Sequence, residues 1–156
     1  MRQYSRIVVK AGTSLLTGGT DELDRDMIGD IVKQISLLHS EGLEMLLVTS
    51  GAVAAGKGVY LRHLPNGNVL PSKQILAAIG QSRLMQVYEK EFNGYGIPTA
   101  QALLSHRDVY DRIGYLNLRS TLSGLLEHRI VPVINENDVV AIDELSDRIF
   151  GDNDNL

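Results

Sequence analysis

Ile7-Val8-Val9-Lys10-Ala11-Gly12-Thr13 decides how the rest of the chain is read. Three β-branched residues in a row, stopped by a glycine, form a run too short for a buried helix and right for a buried strand. The same pattern returns at Leu43 to Val48, which runs into Thr49-Ser50-Gly51-Ala52. It returns again at Ile97 to Leu104 and at Ile130-Val131-Pro132-Val133-Ile134. Pro132 has no amide proton, so the fourth strand is expected to start late or to sit beside a bulge.

The segments between these runs carry helical spacing. Met27, Ile28, Ile31, Ile35 and Leu38 recur every three or four residues, after a capping Asp24 and before Gly42. Pro71-Ser72 opens a long helix bearing Leu76, Ile79, Leu84, Val87, Tyr88 and Phe92, closed by Gly94 and Gly96. A further helix from about Asp111 to Arg129 turns Leu118, Leu122, Leu125 and Leu126 inward. Leu15 to Leu23, with Gly18-Gly19, reads as loop. Tyr60 to Leu70, with Pro65-Asn66-Gly67-Asn68, reads as a mobile loop, and Val139 to Ile142 with Arg148 to Phe150 as a hairpin. Strands alternating with helices define an α/β domain with a mostly parallel sheet and right-handed connections.

At 156 residues the chain suits one domain. Apolar residues make up 44% and the net charge is -4, so the reading excludes a basic nucleic-acid footprint. No cysteine occurs, which rules out disulfides, thiolate metal sites and a cysteine nucleophile. No apolar run approaches the ~18 residues of a membrane helix, and the N-terminus lacks a signal-peptide pattern. The expected setting is the cytoplasm, with no membrane and no nucleic-acid partner.

Ligands of open α/β sheets bind beyond the carboxyl ends of the strands. Three such ends carry unusual chemistry. Lys10 beside Gly12 suits a phosphate, though a lysine that snorkels from a strand end reads the same way. Ser50-Gly51-Ala52 can offer amides at a helix start, or simply an N-cap. Asn135-Glu136-Asn137-Asp138 supplies acceptors for an ammonium and amide donors for a carboxylate. A divalent cation or an ordinary Asn-rich turn is the alternative. His39, His63, His106 and His128 form no constellation, so a hydrolase triad is discounted. Asp152-Asn153-Asp154-Asn155 lacks the spacing of a calcium loop, and no metal site is assigned. There is neither a Gly-x-Gly-x-x-Gly turn after the first strand nor a Walker-type loop.

Together these segments resemble the amino acid kinase family. The resemblance rests on Val8 to Ser14, Leu16-Thr17-Gly18-Gly19, Val48 to Gly56, Ser72-Lys73-Gln74, Ala77 to Leu84, Val131 to Asp138 and Gly151 to Leu156, in the family's order. It implies a three-layer αβα sandwich and ATP-dependent phosphorylation of the γ-carboxylate of L-glutamate, the first step of proline synthesis. It implies that Lys10 touches the transferring phosphate, with Gly12 and Thr13 at the nucleotide's phosphates and Mg²⁺ carried by ATP. Ser50, Gly51, Ala52, Asn135, Asp138 and Asn153 would hold glutamate, and Asp154 would orient the lysines as a second catalytic residue. It further implies a homo-oligomer and proline as a feedback inhibitor.

Residues 1–156 then form the substrate-binding portion. The ATP-binding portion and any RNA-modification-type (PUA) domain are expected outside it, and the 156 residues alone are expected to be inactive. An N-acetylglutamate, aspartate or nucleoside monophosphate kinase is the nearest rival. A non-catalytic amino-acid-binding module is the rival from another class.

Overall fold

The computed structural model describes residues 4–63 and 70–140. Four strands, β1 (Arg6–Ala11), β2 (Glu44–Thr49), β3 (Thr99–Leu104) and β4 (Val131–Glu136), form one sheet in the order β1-β2-β4-β3. Every neighbouring pair is parallel. The helices are α1 (Thr13–Thr17), α2 (Arg25–Ser40), α3 (Ala52–His63), α4 (Lys73–Asn93), α5 (His106–Tyr110) and α6 (Arg112–Glu127).

The chain advances from β1 to β2 to β3, then steps back to insert β4. With right-handed connections, the advance and the return place their helices on opposite faces. That is the observed division. Ile28, Val32 and Ile35 of α2 and Leu84, Val87, Tyr88 and Phe92 of α4 join Met45, Leu47, Val131 and Val133 in one core. Leu126, Leu118 and Leu122 of α6 cover Leu46, Val48, Leu104 and Ile134 on the other side. The expected three layers are therefore present. β2 and β4 are buried along nearly their whole length, as inner strands of a parallel sheet are. β1 alternates, with Val8 55% exposed.

The Asp24 cap is present, its Oδ1 accepting from the Met27 amide at 3.0 Å. Asp111 caps α6 in the same manner through Gly114. Four expectations change. Thr13–Thr17 is a helical turn rather than loop, closed by Gly18 in the left-handed region at φ 56°. Tyr60 to His63 belong to α3, whose last turn carries Arg62 and His63; the remainder of that expected loop, up to residue 69, lies outside the described residues. A capping box of Ser105 and Asp108 starts a separate short α5 ahead of α6. Pro132 causes neither a late start nor a bulge. β4 holds continuous register with β3 from Thr99↔Val131 to Leu104↔Glu136. The Val131 amide donates to Pro98 on the β3 side, so the missing amide of Pro132 faces β2. Pairing with β2 is confined to Leu47↔Val133 and Val48↔Ile134, beyond the proline. The predicted 139–150 hairpin falls largely outside the described residues.

Candidate active site

Because all four strands run the same way, their carboxyl ends share one rim. Ala11 lies opposite Thr49, Val48 opposite Ile134, and Leu103 opposite Asn135. Gly12, Ser50 and the Asn135 to Asp138 segment therefore stand side by side at this edge. The sheet's alternation then sorts the side chains. Val9 and Ala11 belong to the core beneath α2 and α4. Lys10 between them faces the other side, level with Val48, and is exposed. Thr49 and Asn135 face α4 and are fully buried.

Gly12 leaves β1 at φ -76°, and a Cβ there would meet nothing within 4 Å. Among the described residues the space over this backbone is open, enough for the phosphate end of a nucleotide beside Lys10 and the exposed Thr13. Gly51 turns the chain from β2 into α3 at φ 93°, a left-handed conformation that side-chain-bearing residues avoid. Its carbonyl accepts from Ala55, so the first turn of α3 begins at this point. Two glycines then force α3 against α4. A Cβ on Gly56 would lie 1.8 Å from the Leu76 carbonyl oxygen, and one on Gly80 equally close to that of Ala52. The Ser50-Gly51-Ala52 turn is thereby fixed to the middle of α4.

α4 also holds both buried polar strand ends. Thr49 Oγ1 and the Tyr88 hydroxyl share a hydrogen bond of 2.7 Å. Burial pushes the Tyr88 hydroxyl up to about 12, against the pull of that bond, so it stays a neutral donor or acceptor. Asn135 Nδ2 donates to Gln81 Oε1 at 2.8 Å. Asp138, half-buried after β4, is pushed up to about 6. Burial is the main cause, the Glu136 charge adds to it, and the Lys73 ammonium at the start of α4 opposes it. The ionised form of Asp138 would gain from an incoming ammonium.

The structure thus brings Gly12, Thr13, Ser50, Gly51, Ala52, Asn135 and Asp138 to one rim, with Lys10 on the opposite sheet face just below it. Asn153 and Asp154 lie outside the described residues. The sequence assigns no individual role to Gln81, Lys73 or the Thr49–Tyr88 pair, and takes Glu136 only as part of the Asn135 to Asp138 group. For Gln81 the signal was available: it is an amide within the otherwise apolar stripe Ala77, Gly80, Leu84 and Tyr88. A cavity of ≈ 70 Å³ lined by Glu22, Arg25, Arg62 and Arg83 shares none of these residues. Among the described residues no group of three or more His, Asp or Glu is placed to hold a metal ion.

At the ends of these parallel strands lie a lysine, a Ser-Gly-Ala turn and an Asn-Glu-Asn-Asp segment. Residues 5–156 match the amino acid kinase family, and the chain belongs to that family. It is 52% identical over 154 residues to the glutamate 5-kinase of Dehalococcoides mccartyi. It is 49% identical over 156 residues to the glutamate 5-kinases of Photorhabdus laumondii and of Escherichia coli O1:K1. These alignments take in 98–100% of this chain and 41% of each relative, so the chain spans about two fifths of the length of the curated relatives it matches. No described helix is long and apolar enough to cross a membrane.

Proposed function

We propose that residues 1–156 are the amino-acid-binding portion of an enzyme that transfers the γ-phosphoryl group of ATP to the γ-carboxylate of L-glutamate, giving L-glutamyl 5-phosphate for proline synthesis. The observation that carries this reading is the pairing of a half-buried Asp138 carboxylate with a buried Asn135 amide at one strand edge. The two offer complementary partners for the ammonium and carboxylate of a free α-amino acid. An acetylated amine would gain nothing from Asp138, which sets glutamate apart from N-acetylglutamate.

Phosphoryl transfer asks for positioning and charge neutralisation more than covalent chemistry by the protein. The acceptor carboxylate is ionised at neutral pH and needs no general base. The task is to bring two anions together. Asp138 and Asn135, with Ser50 and the Gly51 and Ala52 backbone, hold the amino acid end. Lys10 and the open backbone at Gly12 receive the phosphate end, where the lysine offsets charge that grows in the transition state. Mg²⁺ arriving with ATP supplies further neutralisation. Asn153 and Asp154 complete the set, as substrate contact and as orienter of the lysines. A cytoplasmic homo-oligomer inhibited by proline belongs to the same proposal.

The test uses the complete gene product with Mg-ATP and a panel of L-glutamate, N-acetyl-L-glutamate, L-aspartate and a nucleoside monophosphate, trapping any acyl phosphate with hydroxylamine and following ADP release for the nucleotide. Hydroxamate formed from glutamate alone is expected. Turnover of N-acetylglutamate at a comparable rate would overturn the reading.

A further inference from the structure

We propose that Gln81 is a positioning residue of the amino acid site: it fixes the plane of the Asn135 amide and so sets glutamate affinity without touching glutamate. This rests on the reading of the site given above.

Asn135 is 2% exposed at the end of β4, facing α4. Its Nδ2 donates to Gln81 Oε1 at 2.8 Å. Turning the Asn135 amide over would set two carbonyl oxygens against each other, and turning Gln81 over would set two NH₂ groups against each other. Neither amide can turn over alone; only both together can reverse, with Gln81 Nε2 then donating to Asn135 Oδ1, so Gln81 holds the plane of the Asn135 amide at the end of β4.

The second observation is a cost. Gln81 Nε2 is buried and has no hydrogen-bond partner. A buried donor left unpaired is destabilising, and native structures carry few of them. Packing alone does not explain a glutamine here, because leucine or methionine would fill the same stripe between Ala77, Gly80 and Leu84 with no orphan donor. What glutamine adds is the accepting oxygen aimed at Asn135.

The third observation is the rigidity of the mounting. Gly80, one residue earlier, is pressed against the backbone of Ala52 and Gly56. The Gln81 backbone is thus held relative to the Ser50-Gly51-Ala52 turn. About two helix turns further along, Tyr88 braces Thr49 at the end of β2. α4 acts as a common ruler for the ends of β2 and β4, and Gln81 is the mark that reads β4.

The test takes the complete enzyme with Gln81→Met, Gln81→Leu, Asn135→Ala and the double variant Gln81→Met/Asn135→Ala. Steady-state constants for glutamate and ATP and the thermal midpoint are measured for each. Both Gln81 variants are expected to raise KM for glutamate about tenfold, to keep kcat and KM for ATP within about twofold, and to melt within a few degrees of wild type, because the orphan Gln81 donor that is removed offsets the Asn135 donor that loses its partner. In the double variant, KM for glutamate should match that of Asn135→Ala alone, because Gln81 acts only through Asn135. An unchanged KM in a folded Gln81 variant overturns the proposal. So does a joint loss in melting point, kcat and both KM values, which marks a merely structural residue, and so does full multiplicativity in the double variant. Wild-type enzyme without glutamate-dependent turnover instead refutes the proposed function, and this inference with it.

Discussion

The two faces of the sheet are built differently. Beneath α2 and α4 the core is closed: Leu16, Ile28, Val32, Leu84, Tyr88 and Phe92 are all at 0% exposure, and the polar strand ends Thr49 and Asn135 are tied to α4. Beneath α6 the cluster is small, and β1 extends past it with Val8 and Lys10 in solvent. Among the described residues, the ends of β2 and β4 are covered on both faces, at Val48 and Ile134 on the α6 side, and open space is met only by β1. A fixed wall suits recognition of a small amino acid, which needs its polar partners held in place. Open space suits the phosphate end, where a long flexible lysine follows a moving charge.

The largest effect that separates the faces is steric. Gly80→Ala puts a Cβ 1.8 Å from the Ala52 carbonyl oxygen and 2.3 Å from the Gly56 amide nitrogen. Backbone lies on both sides, so no side chain can swing away. The expected loss is at least ~4 kcal/mol, or failure to fold. On α6, Gly124→Ala meets nothing within 4 Å and removes a helix-interior glycine, so it should gain about 0.5–1 kcal/mol. Urea unfolding of the two variants checks the contrast, and a tolerated Gly80→Ala would break it.

Next in size is Lys10→Ala in the complete enzyme. Charge that matters most in the transition state is lost, so kcat should fall about 100-fold or more, which is ~3 kcal/mol of barrier. Stability should change by less than ~1 kcal/mol, since the side chain is exposed on the open face. Unchanged turnover would remove Lys10 from the chemistry, and a large loss of stability would show that the open face is not open.

What the sequence made legible follows the same division. Local signals were enough for β1, β2, β4, α2 with its Asp24 cap, and the start of α4 after Ser72. The rim could be named from strand ends alone, because parallel strands deliver their loops to one edge. The insertion of β4 between β2 and β3 could not, since apolar runs do not say which neighbour they pair with. α3 runs on to His63 although it contains two glycines, and Gly56 packs on α4, a tertiary gain that offsets its poor helix propensity. Gln81 was passed over as one polar residue on a long helix, because only the fold puts it against Asn135, 54 residues away.

The smallest expected effect belongs to Asp138, which stands where the fixed wall meets the rim. Its folded pKa of about 6 lies above the ordinary 3.8, with burial the first cause and the Glu136 charge the second. Between those two values the folded state binds more protons than the unfolded chain. Stability therefore falls as pH rises through this window, and the deficit is constant above it. Asp138→Asn removes the deficit. It should stabilise the protein by about 1 kcal/mol at pH 7, a figure reduced for the solvent that still reaches the half-buried group. The gain should vanish below about pH 4. Ligand binding runs the other way, because a glutamate ammonium needs the ionised carboxylate. Glutamate affinity of the wild-type enzyme should rise as pH increases through 6, while Asp138→Asn binds about tenfold more weakly at pH 7 and shows no such rise. Melting curves and glutamate titrations at pH 4, 6 and 7.5 separate the two trends. An Asp138→Asn variant that keeps wild-type affinity would mean that the ammonium is held by another group.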